Sequence, residues 1–430
     1  MSNKNNQLIF VCSDCGEEYG KWQGKCSNCN GWNTLKEFKT TQTTKQKNVT
    51  VEITNLAEVK AENFGRISSE ISEMDRVLGG GVVPGSVILL GGEPGIGKST
   101  LVMQIASKLK NTYYISGEES LQQIKMRADR LKVKAQNVNI IAETNVDAII
   151  TALSKIKPSL VIVDSVQTMY SADFPSTAGS LVQVRESALR LQKYAKQNNV
   201  PVILVGHVTK DGAVAGPKTL EHMVDVVLYL EGERFHDLRI LRTTKNRFGA
   251  TDEIGIFEIG SNGLEEVSNP SKIFLAERTT KTAGSVVTAT IEGSRPLLIE
   301  IQALVSPSSF GYPKRTASGF DLNRLQLIIA ILINRANLNL SGQDVYLNIA
   351  GGYSLKEPAG DLAVAMAIAS AFKNKPIDSK TIIFGELGLS GEVRPVNLAN
   401  KRLSEAKRLG FIKTINDTNI QNLIRKLNND

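Results

Sequence analysis

The stretch GGEPGIGKST, residues 91–100, restricts the fold of this chain more than any other. The apolar run GSVILL precedes it and the amphipathic segment LVMQIASKLK follows it, so we predict a strand, a glycine loop and a helix in that order. From Gly92 to Ser99 the residues fit G-x-x-x-x-G-K-[S/T], in which backbone N–H groups surround phosphate oxygens at the positive end of a helix. This context favours a phosphate loop over an ordinary glycine turn.

The phosphate loop predicts bound ATP and Mg²⁺. Lys98 is expected to reach the β- and γ-phosphates, and Ser99 is expected to be a ligand of Mg²⁺. The predicted nucleotide-binding residues are Gly92, Glu93, Pro94, Gly95, Ile96, Gly97, Lys98, Ser99 and Thr100.

Two acidic groups are candidates for hydrolysis. The apolar strand LVIVD ends in Asp164, which we expect to hold Mg²⁺ through water, although a strand-ending aspartate can also cap a helix. Hydrolysis also requires a base that orients the attacking water. In YISGEES, Glu118 and Glu119 follow the strand after the phosphate-loop helix, and we favour Glu118 as this base.

Three further polar residues follow later strands. His207, in VGHVTKDG, is expected at the same rim as a γ-phosphate sensor, with a purely structural histidine as the alternative. Lys245 and Arg247, in RTTKNRFG, are expected on one side of an extended segment. Such cations are often merely solvated, but they could also reach a neighbouring subunit's nucleotide and stabilise the transition state.

The region around the phosphate loop is predicted to be an α/β fold. Short apolar runs alternate with helical segments from about residue 65 to 265, and near-continuous apolar strands indicate a mostly parallel sheet covered by helices on both faces. SLVQVRESALRLQKYAKQNN, residues 180–199, is a predicted helix. The predicted strands are SVILL, TYYIS, NVNIIA, LVIVD, PVILVG, VVLYL and LRILRT.

All four cysteines lie near the amino terminus as two C-x-x-C pairs separated by ten residues. Four thiolates in this spacing predict a tetrahedral zinc site, and a redox dithiol is the alternative. Residues 7–39 contain little else to form a core, so metal ligation, worth about 10–16 kcal/mol, must supply most of the folding free energy. The predicted ligands are Cys12, Cys15, Cys26 and Cys29.

A different pattern begins near residue 272 and predicts an α+β domain. VVTATI and PLLIEIQALV are expected as neighbouring strands, DVYLNIAGG and TIIFGELGL as further strands, and RLQLIIAILINRA and DLAVAMAIASAF as helices. We therefore expect a zinc ribbon at 1–39, a linker at 40–64, an ATPase domain at 65–270 and a last domain at 271–430.

Composition excludes some classes and favours others. No stretch approaches the ~18 consecutive apolar residues of a membrane span, and the amino terminus has too short an apolar run for a secretory signal, so we expect a cytoplasmic protein without a membrane partner. The formal net charge of +8 favours a polyanionic partner such as nucleic acid, but many basic proteins are merely soluble.

Taken together, these motifs resemble the RecA-type ATPases, and most closely the RadA (Sms) family of bacterial DNA repair proteins. The resemblance covers nearly the whole chain: the four-cysteine ribbon, LGGGVVPGSVILLGGEPGIGKST, YISGEES, VIVDSVQT, KNRFG at 245–249, and a carboxyl-terminal region similar to the Lon protease domain. It implies a ring of six subunits that hydrolyses ATP on DNA and promotes branch migration of recombination intermediates.

The resemblance also implies partners and residue roles. Single-stranded and branched DNA and a RecA-type recombinase are the implied partners. Lys98, Asp164, Lys245 and Arg247 are implied to couple the nucleotide to DNA. The ribbon is expected to contact either the recombinase or DNA, where its tryptophans could stack on bases or simply shield the metal.

The Lon-like region departs from its protease relatives. In KEPAGDLA, Ala359 stands where the catalytic serine would be, and Asn400 occupies the position of the catalytic lysine, with Lys401 adjacent. An alanine offers no nucleophile, so we expect no peptide hydrolysis. The domain is expected to support the ring and, unless this helix is only solvated, to present a basic surface to DNA through Lys401, Arg402, Lys407 and Arg408.

Two alternatives remain beside the DNA motor. An ATP-dependent protease is disfavoured by the missing serine. An ATP-gated assembly switch, in which hydrolysis times subunit exchange, predicts neither strand displacement nor branch migration.

Overall fold

The computed structural model describes residues 8–13, 16–39, 55, 57, 65–174, 176–207, 220–232, 238–275, 278–279, 281–309, 311–415 and 417–429. The chain divides into two compact units. The first takes in residues 1–231, 239–251 and 257–266, and the second takes in 232–238, 252–256 and 267–430. Within the described ranges, no helix combines the length and apolarity that crossing a membrane would require.

The amino-terminal residues form a small antiparallel sheet. Its strands, in the order β2-β1-β3, are β1 (Leu8–Cys12), β2 (Glu18–Tyr19) and β3 (Leu35–Lys39). Its buried cluster consists of Cys12, Cys26 and Leu35, with Phe10 and Tyr19 packed against them. So small an apolar cluster cannot offset the conformational entropy lost on folding, so this module needs a metal.

A sheet of nine described strands forms the centre of the first unit, in the order β12-β11-β10-β9-β4-β8-β7-β5-β6. Each neighbouring pair in the row β9-β4-β8-β7-β5-β6 is parallel, whereas β11 and β12 are antiparallel. The strand bounds are β4 (Val87–Gly92), β5 (Thr112–Ser116), β6 (Val138–Ala142), β7 (Leu160–Asp164), β8 (Val202–Val205), β9 (Val226–Gly232), β10 (Leu238–Asn246), β11 (Ile254–Gly260) and β12 (Gly263–Glu266).

Helices cover both faces of this sheet. Alternate residues of β4 show the reason: Ile88 and Leu90 belong to one apolar cluster, and Val87 and Leu89 belong to another on the opposite face. Both faces of the central strands are thereby buried, as their continuous apolar runs predict. The helices of this unit are α1 (Ser72–Val77), α2 (Lys98–Lys108), α3 (Leu121–Arg130), α4 (Val146–Leu153) and α5 (Leu181–Asn198).

The hairpin of β11 and β12 is absent from the strands that we predicted. It pairs Phe257 with Glu266 and Gly260 with Gly263. Gly263 takes a φ of 110°, a left-handed conformation that favours glycine. The sequence signal was present in IGIFEIG, an apolar, β-branched run that is followed directly by the turn residues S-N-G.

The second unit contains a mixed sheet in the order β15-β16-β14-β13-β17-β20 and a two-stranded sheet of β18 and β19. The predicted strands VVTATI and PLLIEIQALV are antiparallel neighbours, as expected. The elements are α6 (Pro270–Leu275), β13 (Ser285–Glu292), β14 (Arg295–Pro307), β15 (Arg315–Ser318), α7 (Leu322–Ala336), β16 (Gln343–Ile349), α8 (Asp361–Lys373), β17 (Thr381–Ile382), β18 (Glu386–Leu387), β19 (Val393–Arg394), α9 (Ala399–Arg408), β20 (Lys413–Thr414) and α10 (Ile420–Asn429).

The prediction of one strand over TIIFGELGL is wrong. The segment forms β17 in the six-stranded sheet and β18 in the small hairpin, with a break at Gly385. The Gly385 N–H donates to the carbonyl of Ala359 at 2.7 Å, and its own carbonyl accepts from the Leu362 N–H at 3.0 Å. These bonds direct the backbone away from the sheet and against the turn that begins α8.

Candidate nucleotide site and metal centre

The phosphate loop lies where the sequence predicts, between the end of β4 and the start of α2. Gly95 and Gly97 have φ values of 75° and 114°, which residues with a Cβ rarely adopt. The first N–H groups of a helix have no intrahelical acceptor, so those of Lys98, Ser99 and Thr100 are available to an anion. The loop and this helix end together form a cradle of N–H donors suited to a phosphate.

Lys98 is the buried cation of this cradle. Its side chain is 3% exposed, and its ammonium donates to the carbonyls of Gly92 and Glu93, both at 2.9 Å. Burial lowers the pKa of Lys98, and the nearby charges of Asp164 and Glu118 oppose that shift. Because its bonds are to neutral carbonyls, the ammonium can exchange them for stronger bonds to phosphate oxygens.

Asp164 ends β7 and is buried. The hydroxyl of Tyr114 donates a short hydrogen bond to its Oδ2, and Arg127 in turn donates to that hydroxyl at 2.9 Å. Burial raises the pKa of Tyr114 well above its usual value, and the Asp164 charge adds to this shift. Tyr114 therefore remains a donor that fixes the orientation of the carboxylate.

The structure separates the two glutamates that follow β5. Glu118 is half-exposed; its carboxylate accepts from the Ser165 hydroxyl at 2.5 Å and lies 3.6 Å from His207 Nε2. Glu119 instead pairs with Arg127 at 2.8 Å. Glu118 thus faces the ends of β7 and β8, which favours it as the base, whereas Glu119 belongs to the Arg127 network.

His207 and Gln167 complete this edge of the sheet. Gln167 donates to the backbone carbonyl of His207 at 3.3 Å. Across the described atoms, Gln167 Oε1 and His207 Nδ1 are shielded from solvent yet have no hydrogen-bond partner. Buried polar atoms are rarely left unsatisfied, so both fit a site that completes its hydrogen bonds with a ligand or water.

Sequence reasoning missed the residues beside the loop that can hold the rest of a nucleotide. A cavity of about 290 Å³ is lined by Gly95, Gly97 and Thr100 of the loop region, by Arg130, and by Ile259 and Leu264 of the β11–β12 hairpin. Arg239 of β10 donates to the carbonyl of Ile96 at 3.2 Å. The cavity adjoins the phosphate cradle and is large enough for a nucleobase.

Lys245 and Arg247 lie at the other edge of this sheet, the amino edge, where the parallel strands begin. The phosphate loop lies at the carboxyl edge, where those strands end. Arg247 is 3.4 Å from Asp225, and Lys245 donates to the carbonyl of Glu221 at 2.7 Å. Asp225 accepts from the N–H of Val87, at the amino end of β4, whereas the phosphate loop begins at its carboxyl end. The six-residue strand separates the two ends by ~16 Å. These cations are therefore not brought together with Lys98 of their own chain.

The cysteines of the ribbon fit zinc. The Sγ atoms of Cys12, Cys26 and Cys29 lie within 4.8 Å of one another, and Cys15 lies outside the described residues. Tetrahedral ligation with Zn–S bonds of about 2.3 Å places sulfurs roughly 3.8 Å apart, close to the 3.6 Å between Cys12 and Cys29. The hydroxyl of Tyr19 lies 3.2 Å from the sulfur of Cys26, and the hydroxyl of Thr34 lies 3.2 Å from the sulfur of Cys12. Hydrogen-bonding groups at this distance commonly orient the ligands of a metal.

In the second unit, the predicted basic surface is wrong at one residue. Lys401, Lys407 and Arg408 are exposed, but Arg402 is completely buried. Its guanidinium pairs with both carboxylate oxygens of Glu357 and donates to the carbonyl of Ala289 at 2.5 Å. The side chain points inward because position 402 faces the sheet on α9, and its partner lies just before the turn that holds Ala359.

The residues at the protease-like positions also have defined places. Ala359 is buried in a 3₁₀ turn, Pro358–Gly360, and Asn400 is exposed on α9. Asn400 and Lys401 line an open cavity of about 370 Å³ together with Pro296, Ser404, Glu405 and Arg408. Neither position carries the side chain that acyl transfer by a serine–lysine pair needs.

Three family models match parts of the chain. Residues 10–37 match a rubredoxin metal binding domain, residues 54–213 match an AAA domain, and residues 319–418 match subunit ChlI of Mg-chelatase. With the sheets described above, they confirm the predicted fold class: a RecA-like P-loop ATPase core, an amino-terminal zinc ribbon and a ChlI- or Lon-like carboxyl-terminal domain. The predicted cofactors, structural zinc, ATP and Mg²⁺, agree with the ribbon and the phosphate loop.

Curated relatives match almost the whole chain. The DNA repair protein RadA of Listeria monocytogenes is 50% identical over 96% of this chain and 92% of its own. The DNA repair protein RadA of Bacillus subtilis is 48% identical over 94% of this chain and 91% of its own. Among solved structures, the RadB recombinase covers 47% of this chain at 24% identity with a TM-score of 0.39.

Proposed function

The chain belongs to the family of the DNA repair protein RadA, and from that membership we propose that it is a DNA-dependent ATPase and ring-type motor that promotes branch migration of recombination intermediates. The observation that carries the proposal is the division of the hydrolytic groups between two edges of one sheet. Lys98, Asp164 and Glu118 lie at the carboxyl edge, and Lys245 and Arg247 lie at the amino edge.

Each group at the carboxyl edge has a role in the proposal. Lys98 binds the β- and γ-phosphates, and Ser99 and Asp164 hold Mg²⁺, directly and through water. When bound, Mg²⁺ supplies charge neutralisation at the phosphates. Glu118 orients the attacking water, and His207 senses the terminal phosphate. Tyr114 and Arg127 hold Asp164 in place.

The cations at the amino edge require a second copy of the chain. A side chain ~16 Å away along β4 cannot contact its own chain's γ-phosphate. Placed head to tail, the amino edge of one copy meets the carboxyl edge of the next, and such contacts form a ring when the rotation between neighbours closes. We propose a homohexamer in which Arg247 and Lys245 complete the neighbour's site, so that hydrolysis is coupled to movement between subunits.

DNA is the proposed track of this motor. The relatives named above are DNA repair proteins, and the net charge of +8 suits a polyanion. We propose single-stranded and branched DNA as substrates and a RecA-type recombinase as partner. The proposed organisation is a zinc ribbon at 1–39, a linker at 40–64, the ATPase domain at 65–270 and a non-proteolytic Lon-like domain at 271–430.

Mixing two inactive variants tests the shared site. Lys98→Ala removes the phosphate-binding cation and Arg247→Ala removes the neighbour's cation, so each variant alone should hydrolyse ATP very slowly. In mixed rings, some sites combine the intact Lys98 of an Arg247→Ala subunit with the intact Arg247 of a neighbouring Lys98→Ala subunit. These sites have every proposed group, so the rate of ATP hydrolysis should rise on mixing. If the mixture stays as inactive as its components while wild-type rings form normally, Arg247 does not act across subunits.

A second measurement tests the DNA track. Single-stranded DNA should stimulate ATP hydrolysis. The affinity of the protein for DNA should fall steeply with salt concentration, because each phosphate that a lysine or arginine contacts releases a counterion. Branch migration of a synthetic three-strand junction should require ATP and intact Lys98. DNA-independent hydrolysis without junction movement would favour the assembly switch.

A further inference from the structure

The zinc ribbon presents two exposed tryptophans at one point of its surface. Trp22 is 57% exposed and Trp32 is 71% exposed. Apart from the adjoining residues, the three heavy atoms nearest to a Cβ placed on Gly24 all belong to the two indole rings, and the nearest atom of each ring is 3.8 Å away. Trp22, Gly24 and Trp32 therefore form a shallow surface, here called the tryptophan notch, with an indole on either side of a residue that has no side chain.

The notch does not serve the small core of the ribbon. The buried cluster consists of Cys12, Cys26 and Leu35 with Phe10 and Tyr19, and neither indole belongs to it. Exposing two large aromatic rings has a free-energy cost in water, and aromatic residues at such surfaces usually contact a partner.

The surroundings of the notch indicate the chemistry of that partner. The Lys25 ammonium lies 5.9 Å from the centre of the Trp32 ring, and Lys21 is exposed beside Trp22. Among the described ribbon residues, the other exposed side chains are charged, amide or hydroxyl groups, or the Cys29 thiol, and no other large apolar side chain is exposed. Two rings among cations and hydrogen-bonding groups suit a flat ring attached to a phosphate more than an apolar protein surface.

We propose that the tryptophan notch binds an unpaired base of single-stranded DNA by stacking, with Lys21 and Lys25 near its phosphates. The absence of a side chain at Gly24 leaves room for the base to approach both indoles. Stacking of a base on an aromatic side chain contributes about 1–3 kcal/mol and tolerates any base sequence, which suits a motor that moves along DNA. This inference rests on the DNA-dependent function proposed above.

The composition of the chain makes the test direct, because Trp22 and Trp32 are its two tryptophans. The tryptophan fluorescence of the full-length, zinc-loaded protein therefore reports on this notch alone. We expect an oligothymidylate to quench that fluorescence and to protect it from acrylamide, with a titration curve that matches the anisotropy of a labelled oligonucleotide. An abasic oligonucleotide of equal length supplies the phosphates without bases, and it should bind without quenching.

Variants separate stacking from charge. Trp22→Ala and Trp32→Ala should each weaken oligothymidylate binding about 5- to 150-fold and leave abasic binding unchanged. The Lys36→Gln variant, on β3, is the matched control, and it should weaken both ligands equally and slightly. Zinc content by elemental analysis and ATP binding should match the wild type in every variant.

The outcomes distinguish this inference from the proposed function. Anisotropy that shows oligothymidylate binding without quenching refutes the notch and leaves the DNA motor intact. Equal quenching by the abasic oligonucleotide also refutes stacking. Fluorescence that responds to a RecA-type recombinase but not to DNA makes the notch a protein contact and refutes it as well. No binding of DNA by any measure refutes the proposed function itself.

Discussion

Among the residues that the structure describes, each of the two units buries one long cationic side chain, and the environments of the two differ. Lys98 in the first unit is bonded to the carbonyls of Gly92 and Glu93, without a carboxylate in contact. Arg402 in the second is bonded to both oxygens of Glu357 and to backbone carbonyls. The first cation can exchange its partners for those of a ligand, whereas the second has all its charge satisfied within the protein.

The contrast shows how to distinguish a binding cation from a structural one. A cation that is buried against neutral acceptors has a lowered pKa, as Lys98 has, and gains from an arriving anion. A cation that is buried against a carboxylate gains nothing from a second anion and loses much if its partner is removed. Burial alone therefore does not identify a site, and the charge of the partners does.

The largest expected effect is on stability in the second unit. Arg402→Met leaves the partly buried Glu357 carboxylate without its cation and removes the fully buried guanidinium, so it should lower the free energy of unfolding by about 3 kcal/mol. The double variant Arg402→Met with Glu357→Leu removes both charges and should recover a large part of that loss. Urea unfolding of the full chain measures both, and a double variant less stable than either single one would contradict the structural role.

The next effect is on catalysis in the first unit. Lys98→Ala should lower kcat for ATP hydrolysis on the order of 10²–10³-fold, because it removes the cation that stabilises the transferring phosphate. Its urea midpoint should stay close to the wild type, since the lysine is bonded to carbonyls that water can reach once the side chain is gone. A destabilisation as large as that of Arg402→Met would mean that Lys98 is structural too.

The two glutamates after β5 sharpen the same distinction. Glu118→Gln should reduce kcat ~10²-fold with ATP affinity retained, because it removes the group proposed to orient water. Glu119→Gln is the matched control, and it should change kcat only slightly because Glu119 pairs with Arg127. Single-turnover hydrolysis and equilibrium nucleotide binding measure the pair, and the reverse order of effects would exchange their roles.

A smaller effect is expected at Tyr114. Tyr114→Phe removes the hydroxyl that donates to Asp164, a bond to a charged group worth about 1.5 kcal/mol or more. We expect about a 10-fold higher Mg²⁺ concentration for half-maximal hydrolysis, with much of kcat restored at saturating Mg²⁺. A loss of kcat that Mg²⁺ cannot restore would show that Tyr114 does more than orient Asp164.

The smallest expected effect is at Ala359. Ala359→Ser places a hydroxyl at the protease-like position, but the position is buried and Asn400 offers no basic amine. We expect no casein cleavage above the wild-type background and unchanged ATP hydrolysis. Cleavage that appears with this single change would revive the protease alternative.

Much of the fold followed from local pattern. Strands β5 and β7 have the predicted bounds, and the phosphate loop has the predicted flanking elements, because continuous apolar runs and glycine spacing are local signals. The failures depend on distant partners. Arg402 resembles its solvated neighbours on α9 until Glu357, 45 residues away, is seen beside it. The break at Gly385 depends on its bonds to Ala359 and Leu362.

The site was predictable in part for the same reason. Residues at the ends of parallel strands meet at one edge, so Lys98, Asp164, Glu118 and His207 could be grouped from sequence. The place of Lys245 and Arg247 depends on β10 returning alongside β9 towards Asp225, a pairing that no local pattern encodes. The hairpin beside the nucleotide cavity was detectable in the apolar run IGIFEIG and the turn residues S-N-G that follow it.

Arg247 lies beside Asp225, a full strand length from its own chain's phosphate loop. This placement determines how much ATP the protein hydrolyses when its copies are not assembled. On the proposed arrangement, an isolated copy hydrolyses almost no ATP, because it does not hold a complete set of catalytic groups. The specific ATPase activity should rise with protein concentration, and it should also rise when a branched DNA junction binds several copies. Unassembled protein would then leave the ATP pool almost unchanged, and ATP would be hydrolysed only where neighbouring copies assemble.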